Sequence, residues 1–253
     1  GIYLDDFDGS VVQISNNSFQ SDDNEIKSIL VDSGFVYPFR QASVTITQNS
    51  IQGGSIGISV RGTHGAELHI SNNTIRNSVI GFSMNNIYAW IDAYDSGNVG
   101  KVTFEKNTIE NSQIGVHIED IYYLSDLPLW VASSTDMTWL RNELSSINFI
   151  DVDMAVRLVD VNRSLVIPIS DSYWGTTDLE AIGNLITDNA DDYTLGTVSV
   201  VNPVSSLIDI SVPDLFTDSG QSLGDSTSLG VALGDLDGDG DLDAFVATNG
   251  GAN

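Results

Sequence analysis

Five aspartates alternate with other residues near the end of the chain, in the run Gly234-Asp235-Leu236-Asp237-Gly238-Asp239-Gly240-Asp241-Leu242-Asp243. Carboxylates this crowded raise one another's pKa unless a cation neutralises them. A hard divalent ion suits them, and Ca2+ takes roughly six to eight oxygens from a flexible loop. With Asp235 as the first position, Asp237 and Asp239 fall at the third and fifth and offer side-chain oxygens. Gly240, at the sixth, permits a sharp turn. Asp241 offers its backbone carbonyl and Asp243 its carboxylate. The plain alternative is a solvated acidic turn, which so regular an alternation disfavours.

Other residues able to do chemistry are scattered. His117, Glu119 and Asp120 share one short stretch, Arg61 and His64 share a loop, and His69 and Glu105 fall on neighbouring repeats. Acids beside His, Lys or Arg can serve general acid–base chemistry, glycoside cleavage included. No repeated charged strip forms, because the outward positions are mostly Thr45, Thr47, Ser71, Thr103 and Thr138. Each of these groups therefore reads as part of a solvated face. Tyr88, Trp90, Tyr94, Tyr122, Tyr123 and Trp130 lie in two insertions, at 85–100 and 120–136. They could stack on sugar rings, but covering the edge of a core is the commoner use.

The elements that must carry these residues come from a repeat. Aligned on an asparagine, the chain reads VQISNNSF (Val12 to Phe19), VTITQNSI (Val44 to Ile51), LHISNNTI (Leu68 to Ile75), VTFEKNTI (Val102 to Ile109) and MTWLRNEL (Met137 to Leu144). A second half follows three times: IGISV from Ile56, IGFSM from Ile80 and IGVHI from Ile114. Apolar and polar residues alternate in each half, the period of a strand with one buried face. Asn, Ser, Gly and Gln between the halves are turn residues. Such a unit cannot bury its apolar face alone, whereas a stack can. A leucine-rich repeat fits less well. It needs an apolar residue eight before the asparagine, where Gly9, Gln41, Gly65, Val99 and Ser134 stand.

NNTI followed by IG-[VIF]-x-[VI] resembles the right-handed parallel β-helix family, that of the pectate lyase-like proteins and their many non-catalytic relatives. The resemblance covers roughly residues 1–201 by repeat reading and is nearly silent on activity. It implies that Asn17, Asn49, Asn73, Asn107 and Asn142 stack as an inward ladder, with Ile14, Ile46, Ile70, Phe104 and Trp139 in one inward column. Ile2 and Leu4 would point inward from an earlier coil, and further coils are expected before Gly1. Ser28 to Val31 reads as a strand.

Residues 171–201 break the repeat. Thr177 with Glu180 reads as a capping box, and Leu179, Ile182 and Ile186 follow at helical spacing. The stretch YWGT-x-D with a short helix over about 178–186 resembles the closing segment of extracellular β-helix domains. Trp174 and the helix are the expected cover for the exposed end of the stack. Residues 202–206 read as a linker. The segment 207–253, with LGVALGDLDGDGDLDAFVA, resembles an FG-GAP or VCBS-type repeat, the calcium-loop blade of integrin-like β-propellers. An EF-hand or dockerin loop would need an acid at position 12, which is Val246. One hairpin cannot make a propeller, so this second domain is expected to be truncated.

Composition bounds the partners. Nine Lys and Arg face 35 Asp and Glu, a net charge of −26. That field disfavours nucleic acid and anionic membranes. There are no cysteines, so disulfides do not stabilise the chain. No apolar run approaches the roughly 20 residues of a membrane helix. Three Asn-x-Ser/Thr sequons, at Asn16, Asn72 and Asn162, read as turn residues.

The expected fold is all-β: a right-handed parallel β-helix (a solenoid) with a short C-terminal capping helix, then a truncated β-propeller blade. The expected protein is a monomeric, secreted or cell-surface module. It would bind extracellular polysaccharide or a cell-surface ligand without catalysis, with Ca2+ held at Asp235, Asp237, Asp239, Asp241 and Asp243. The alternative is a polysaccharide lyase, glycoside hydrolase or epimerase. Calorimetric titration of the chain extended through the following blades should show one Ca2+ site, abolished by Asp239→Ala. Equal heats for parent and variant would reduce the run to a solvated acidic turn.

Overall fold

The structure is a computed structural model. It describes residues 1–5, 10–21, 27–32, 42–62, 66–85, 101–121, 142–163, 165–211, 227–234 and 243–249, the last two stretches and Ile121 by backbone alone. The chain divides into two compact units, Gly1–Val212 and Pro213–Asn253.

The first unit is built from three parallel sheets that the chain visits in turn. The first sheet holds β1 (Ile2–Asp5), β4 (Lys27–Asp32), β7 (Ile56–Arg61), β10 (Ile80–Asn85), β13 (Ile114–Ile121), β16 (Met154–Val161) and β18 (Ile186–Thr187). The second holds β2 (Val11–Ser15), β5 (Ser43–Thr47), β8 (Glu67–Ser71), β11 (Lys101–Glu105), β14 (Glu143–Ser145), β17 (Val166–Ser170) and β19 (Thr197–Val201). The third holds β3 (Ser18–Ser21), β6 (Ser50–Gly53), β9 (Thr74–Arg76), β12 (Thr108–Glu110) and β15 (Asn148–Ile150). Each strand pairs with its counterpart one coil away. The described fold is thus all-β with almost no helix, an arrangement compatible with a parallel β-helix. Among the described residues, no helix is long and apolar enough to cross a membrane.

Register stacks like on like. Ile14, Ile46, Ile70, Phe104, Leu144 and Ile169 form one buried column. Ile51, Ile75, Ile109 and Phe149 form a second, and Ile29, Ile58, Phe82, Val116 and Val156 a third. Phe82 and Phe104 stack across the core with ring centroids 4.1 Å apart. Ile2 and Leu4 are partly buried against this core, as their alternation predicts.

The corners are set by the left-handed backbone region. Every described non-glycine residue of positive φ falls in one of three corner columns. Asn16, Gln48, Asn72, Lys106, Ser146, Asp171 and Asn202 turn the chain between the second and third sheets. Asn77, Asn111 and Asp151 turn it out of the third, and Asp120 and Asp160 bend the first near its end. Asn and Asp tolerate this region better than other side chains. Asn16 and Asn72, the matched sequon residues, are corner residues of this kind.

The asparagine after the first corner forms the ladder, over four coils rather than five. Asn17, Asn49 and Asn73 each donate from backbone N–H and Nδ2 to Oδ1 of the next, over 2.9–3.1 Å. Nδ2 of Asn49, Asn73 and Asn107 also reaches the carbonyls of Ile14, Ile46 and Ile70, at 2.9 Å each. Asn142 is not a member. Its Oδ1 accepts from the Val102 amide at 2.8 Å, and the pairing of Phe104 with Leu144 puts Ile147 in the ladder position. Leu144 therefore occupies the column expected for Trp139, which lies outside the described residues. Beyond Ile147 the hydroxyl of Ser172 takes over, accepting from the Ile147 amide at 3.0 Å.

Residues 171–201 differ from their prediction at the helix. The helix α1 spans Leu179–Gly183 and is capped by Asp178, whose carboxylate accepts from the amides of Glu180 and Ala181. Thr177 is not the cap, because a carboxylate one residue later already takes those amides. Leu179 is exposed, Ile182 is buried, and Ile186 is buried in β18 rather than on the helix. Trp174 is buried and packs against Phe149 in a tilted pair, ring centroids 4.7 Å apart. The buried Asp188 carboxylate accepts from the amides of Val198 and Ala190, tying the segment to β19. The stretch 202–206 lies inside the first unit. The Val204 amide bonds to the Ser172 carbonyl, and the Asn148 side chain exchanges two hydrogen bonds with the backbone of Ile208.

The glycines of the IG signature have a packing cause. A Cβ on Gly81 would stand 2.6 Å from Ile109 Cγ2 and 2.9 Å from the Gly115 carbonyl oxygen, and Gly57 and Gly115 are as tight. The third-sheet column lies directly on bare backbone here. Overpacking of this kind costs about 1–3 kcal/mol, so Gly81→Ala should lower the unfolding free energy by that amount in a urea melt. An unchanged midpoint would show that the coils can spread freely.

Candidate functional site

The aspartate run lies between two strands of the second unit. β20 (Thr227–Gly234) and β21 (Asp243–Asn249) pair antiparallel, with Gly234 opposite Asp243. Asp243 opens β21. Asp235, Asp237, Asp239 and Asp241 lie outside the described residues, as do the aromatic residues of both insertions and His64. Among the described residues, no group of three or more His, Cys, Asp or Glu is placed to hold a metal ion.

Among the described residues of the first unit, a set of reactive side chains lines up across neighbouring strands on the outward side of the first sheet. Parallel pairing aligns Ser59, Ser83, His117 and Arg157 in one row and Asp32, Arg61, Asn85 and Glu119 in the next. Alternation would leave these positions wet. Yet Ser59, Ser83 and His117 are only 2%, 4% and 8% exposed, so the central strands are buried on both faces.

Glu119 is the hub. Its Oε2 accepts from Asn85 Nδ2 at 2.9 Å and lies 3.5 Å from His117 Nε2. The other polar atom of each partner, His117 Nδ1 and Asn85 Oδ1, is shut off from solvent and has no hydrogen-bond partner. A buried group left so costs about 1–3 kcal/mol. Arg61 and Asp32 continue the row at 3.7 Å. Asp120, expected with His117 and Glu119, is a corner residue instead.

The other expected pair does not form. His69 lies across from Thr45 and Thr103, whereas Glu105 lies across from Ser71. His69 approaches Glu67 on its own strand at 4.0 Å. Asn85 escaped the sequence reading, although it stands five residues after Ile80, just as Arg61 and Glu119 follow Ile56 and Ile114. That shared offset was the available signal. Asn148 left no such signal, since its partner is a backbone 60 residues away.

No family model, curated protein or solved structure matches the chain.

Burial pushes the His117 imidazole below its ordinary pKa. Glu119 pulls it back up, and the neighbouring Arg157 presses it down. Because the folded value lies below the unfolded one, the unfolded chain binds more protons between the two. Stability is therefore complete above the unfolded value and falls as pH drops through it, from about 6.5 downwards. Thermal melts should show a fall in Tm below about pH 6.5 that His117→Gln flattens. The same slope in both proteins would remove His117 as its source.

Proposed function

We propose that this chain is a secreted or cell-surface module of a larger protein, and that it binds extracellular polysaccharide without cleaving it. The observation that carries the reading is the row of partly exposed polar side chains, Asp32, Arg61, Asn85 and Glu119, that parallel pairing lines up across four strands on the outward side of the first sheet. A rigid stack of coils repeats its outward groups about every 4.8 Å, a spacing suited to extended chains of sugar rings. The solenoid is read as right-handed, the usual hand for parallel crossovers. Its end is read as closed by Trp174 and α1, which supply apolar cover from Trp174 and Ile182.

The second unit is read as an FG-GAP or VCBS-type repeat that binds Ca2+ through Asp235, Asp237, Asp239, Asp241 and Asp243. Support comes from the hairpin: the aspartate run is the connection between β20 and β21, as a calcium loop between two blade strands would be.

A second reading has one observation in its favour. His117 lies 3.5 Å from a carboxylate, and burial pushes its pKa down, which favours the neutral imidazole. That pairing suits a general base acting on a polysaccharide. One screen separates the two. Acidic and neutral polysaccharides are tested for retention by the protein and for new reducing or unsaturated ends. Retention without new ends is expected. New ends that vanish in His117→Gln would establish the enzyme, and retention of nothing would remove both readings.

A further inference from the structure

The last part of the first unit is held to the coils in two different ways. Up to Val204 the hold is backbone to backbone: β19 pairs with β17, and the Val204 amide donates to the Ser172 carbonyl at 3.0 Å. Bridges carry the position of Asn148 on β15 to Tyr173 and then to Val204, one coil at a time. After Val204 the backbone pairing stops. The chain turns back and sets the Ile208 backbone against Asn148, two rungs earlier. Among the described residues, the hydrogen bonds that tie 205–211 to the coils all go to that one side chain.

Little else holds the segment. Ser205, Ser206, Leu207, Asp209 and Ser211 are exposed, and neither Ile208 nor Ile210 joins the hydrophobic core. Asp209 Oδ1 accepts from the Ser211 amide, a bond inside the segment. Asn148, by contrast, is buried and also held from β12, where its Nδ2 donates to Thr108 Oγ1 at 3.0 Å. Nδ2 donates again to the Ile208 carbonyl at 2.9 Å, and Oδ1 accepts from the Ile208 amide at 2.8 Å. A carboxamide offers one donor and one acceptor to a peptide backbone in this way, whatever the residue. The outward row that ends here, Ser18, Ser50, Thr74, Thr108 and Asn148, passes from exposed to buried as it nears the segment.

We propose that residues 205–211 are a detachable strap, pinned to the outward face of the third sheet by Asn148. Its release breaks the two bonds to Ile208 and uncovers little apolar surface, so no coil opens with it. Thr108 keeps the Asn148 amide in place to take the strap again. The chain reaches the second unit through this stretch. With the strap docked, the connection starts at Val212. With it released, the connection starts after Val204 and gains residues 205–211, at up to about 3.5 Å apiece. A pull on the second unit therefore meets a pair of side-chain hydrogen bonds before it meets the backbone ladder of the coils.

Hydrogen exchange on the full chain, followed amide by amide at low concentrations of urea, tests the strap. Without urea the Ile208 amide should exchange about a hundredfold more slowly than in an unstructured chain, roughly a factor of ten for each bond to Asn148. It should still exchange faster than the amides of Val198 and Val204. Low urea should leave the Ile208 rate nearly unchanged, because release of the strap exposes little surface, while the coil amides respond. In Asn148→Ala the Ile208 amide should lose its protection and Val204 should keep its own. Asn148→Asp, which keeps the acceptor and loses the donor, should fall between. An unprotected Ile208 amide in the parent would overturn the docking. One shared rate and one shared urea dependence for Ile208 and Val204 would overturn the detachment, a readout that needs no variant to fold. Protection of Ile208 that survives Asn148→Ala would overturn the pin.

Discussion

A buried amide that bonds to its own copy one coil away is the interaction on which this stack depends. Where the chain leaves the second sheet, one residue turns left-handed and the next must place its backbone N–H inside the core. An unpaired N–H there is costly. Asparagine solves the problem for its neighbour: Oδ1 of Asn49 takes both the backbone and the side-chain donors of Asn17, and the pattern continues through Asn73 to Asn107. The same bond sets the register between coils. A slip by one residue would bury the outward row and expose the inward one.

The register in turn places the chemistry. Once the ladder aligns the coils, the position eight residues beyond Asn49, Asn73 and Asn107 falls under the third-sheet column, which leaves room only for Gly57, Gly81 and Gly115. Two and four residues past those glycines lie the outward positions of the first sheet, including His117 and Glu119. Asn85 meets Glu119 because their strands are held in step. The Glu119 cluster is thus a consequence of a hydrogen bond made at a different corner of the coil.

Strands with a regular period were legible in the sequence, since alternation and the repeated NNTI and IG signatures fix inward residues without a partner in view. What defeated the reading was substitution within the repeat. MTWLRNEL offers an asparagine at the expected spacing, yet the coil is closed by ELSSINFI, in which Ile147 replaces the ladder amide with an apolar side chain. Pattern alone cannot tell a displaced asparagine from a replaced one. At the helix, Thr177 and Asp178 are both good caps, and the choice rests on backbone geometry. The buried outward face was illegible because alternation predicts only which side a residue takes, not what covers it. Of the aspartate run the structure describes only its flanks, the strands β20 and β21, which pair antiparallel.

The central claim is that the ladder is one coupled network rather than a row of independent contacts. A double-mutant cycle on Asn49→Ala and Asn73→Ala, read by urea unfolding, tests it most directly. Asn49 and Asn73 share two hydrogen bonds through one oxygen. Once either is gone, removing the other should cost less, so the double variant should fall short of the sum of the singles by about 1 kcal/mol or more. Additive losses would contradict the account, and would place the register of the coils in the apolar columns instead.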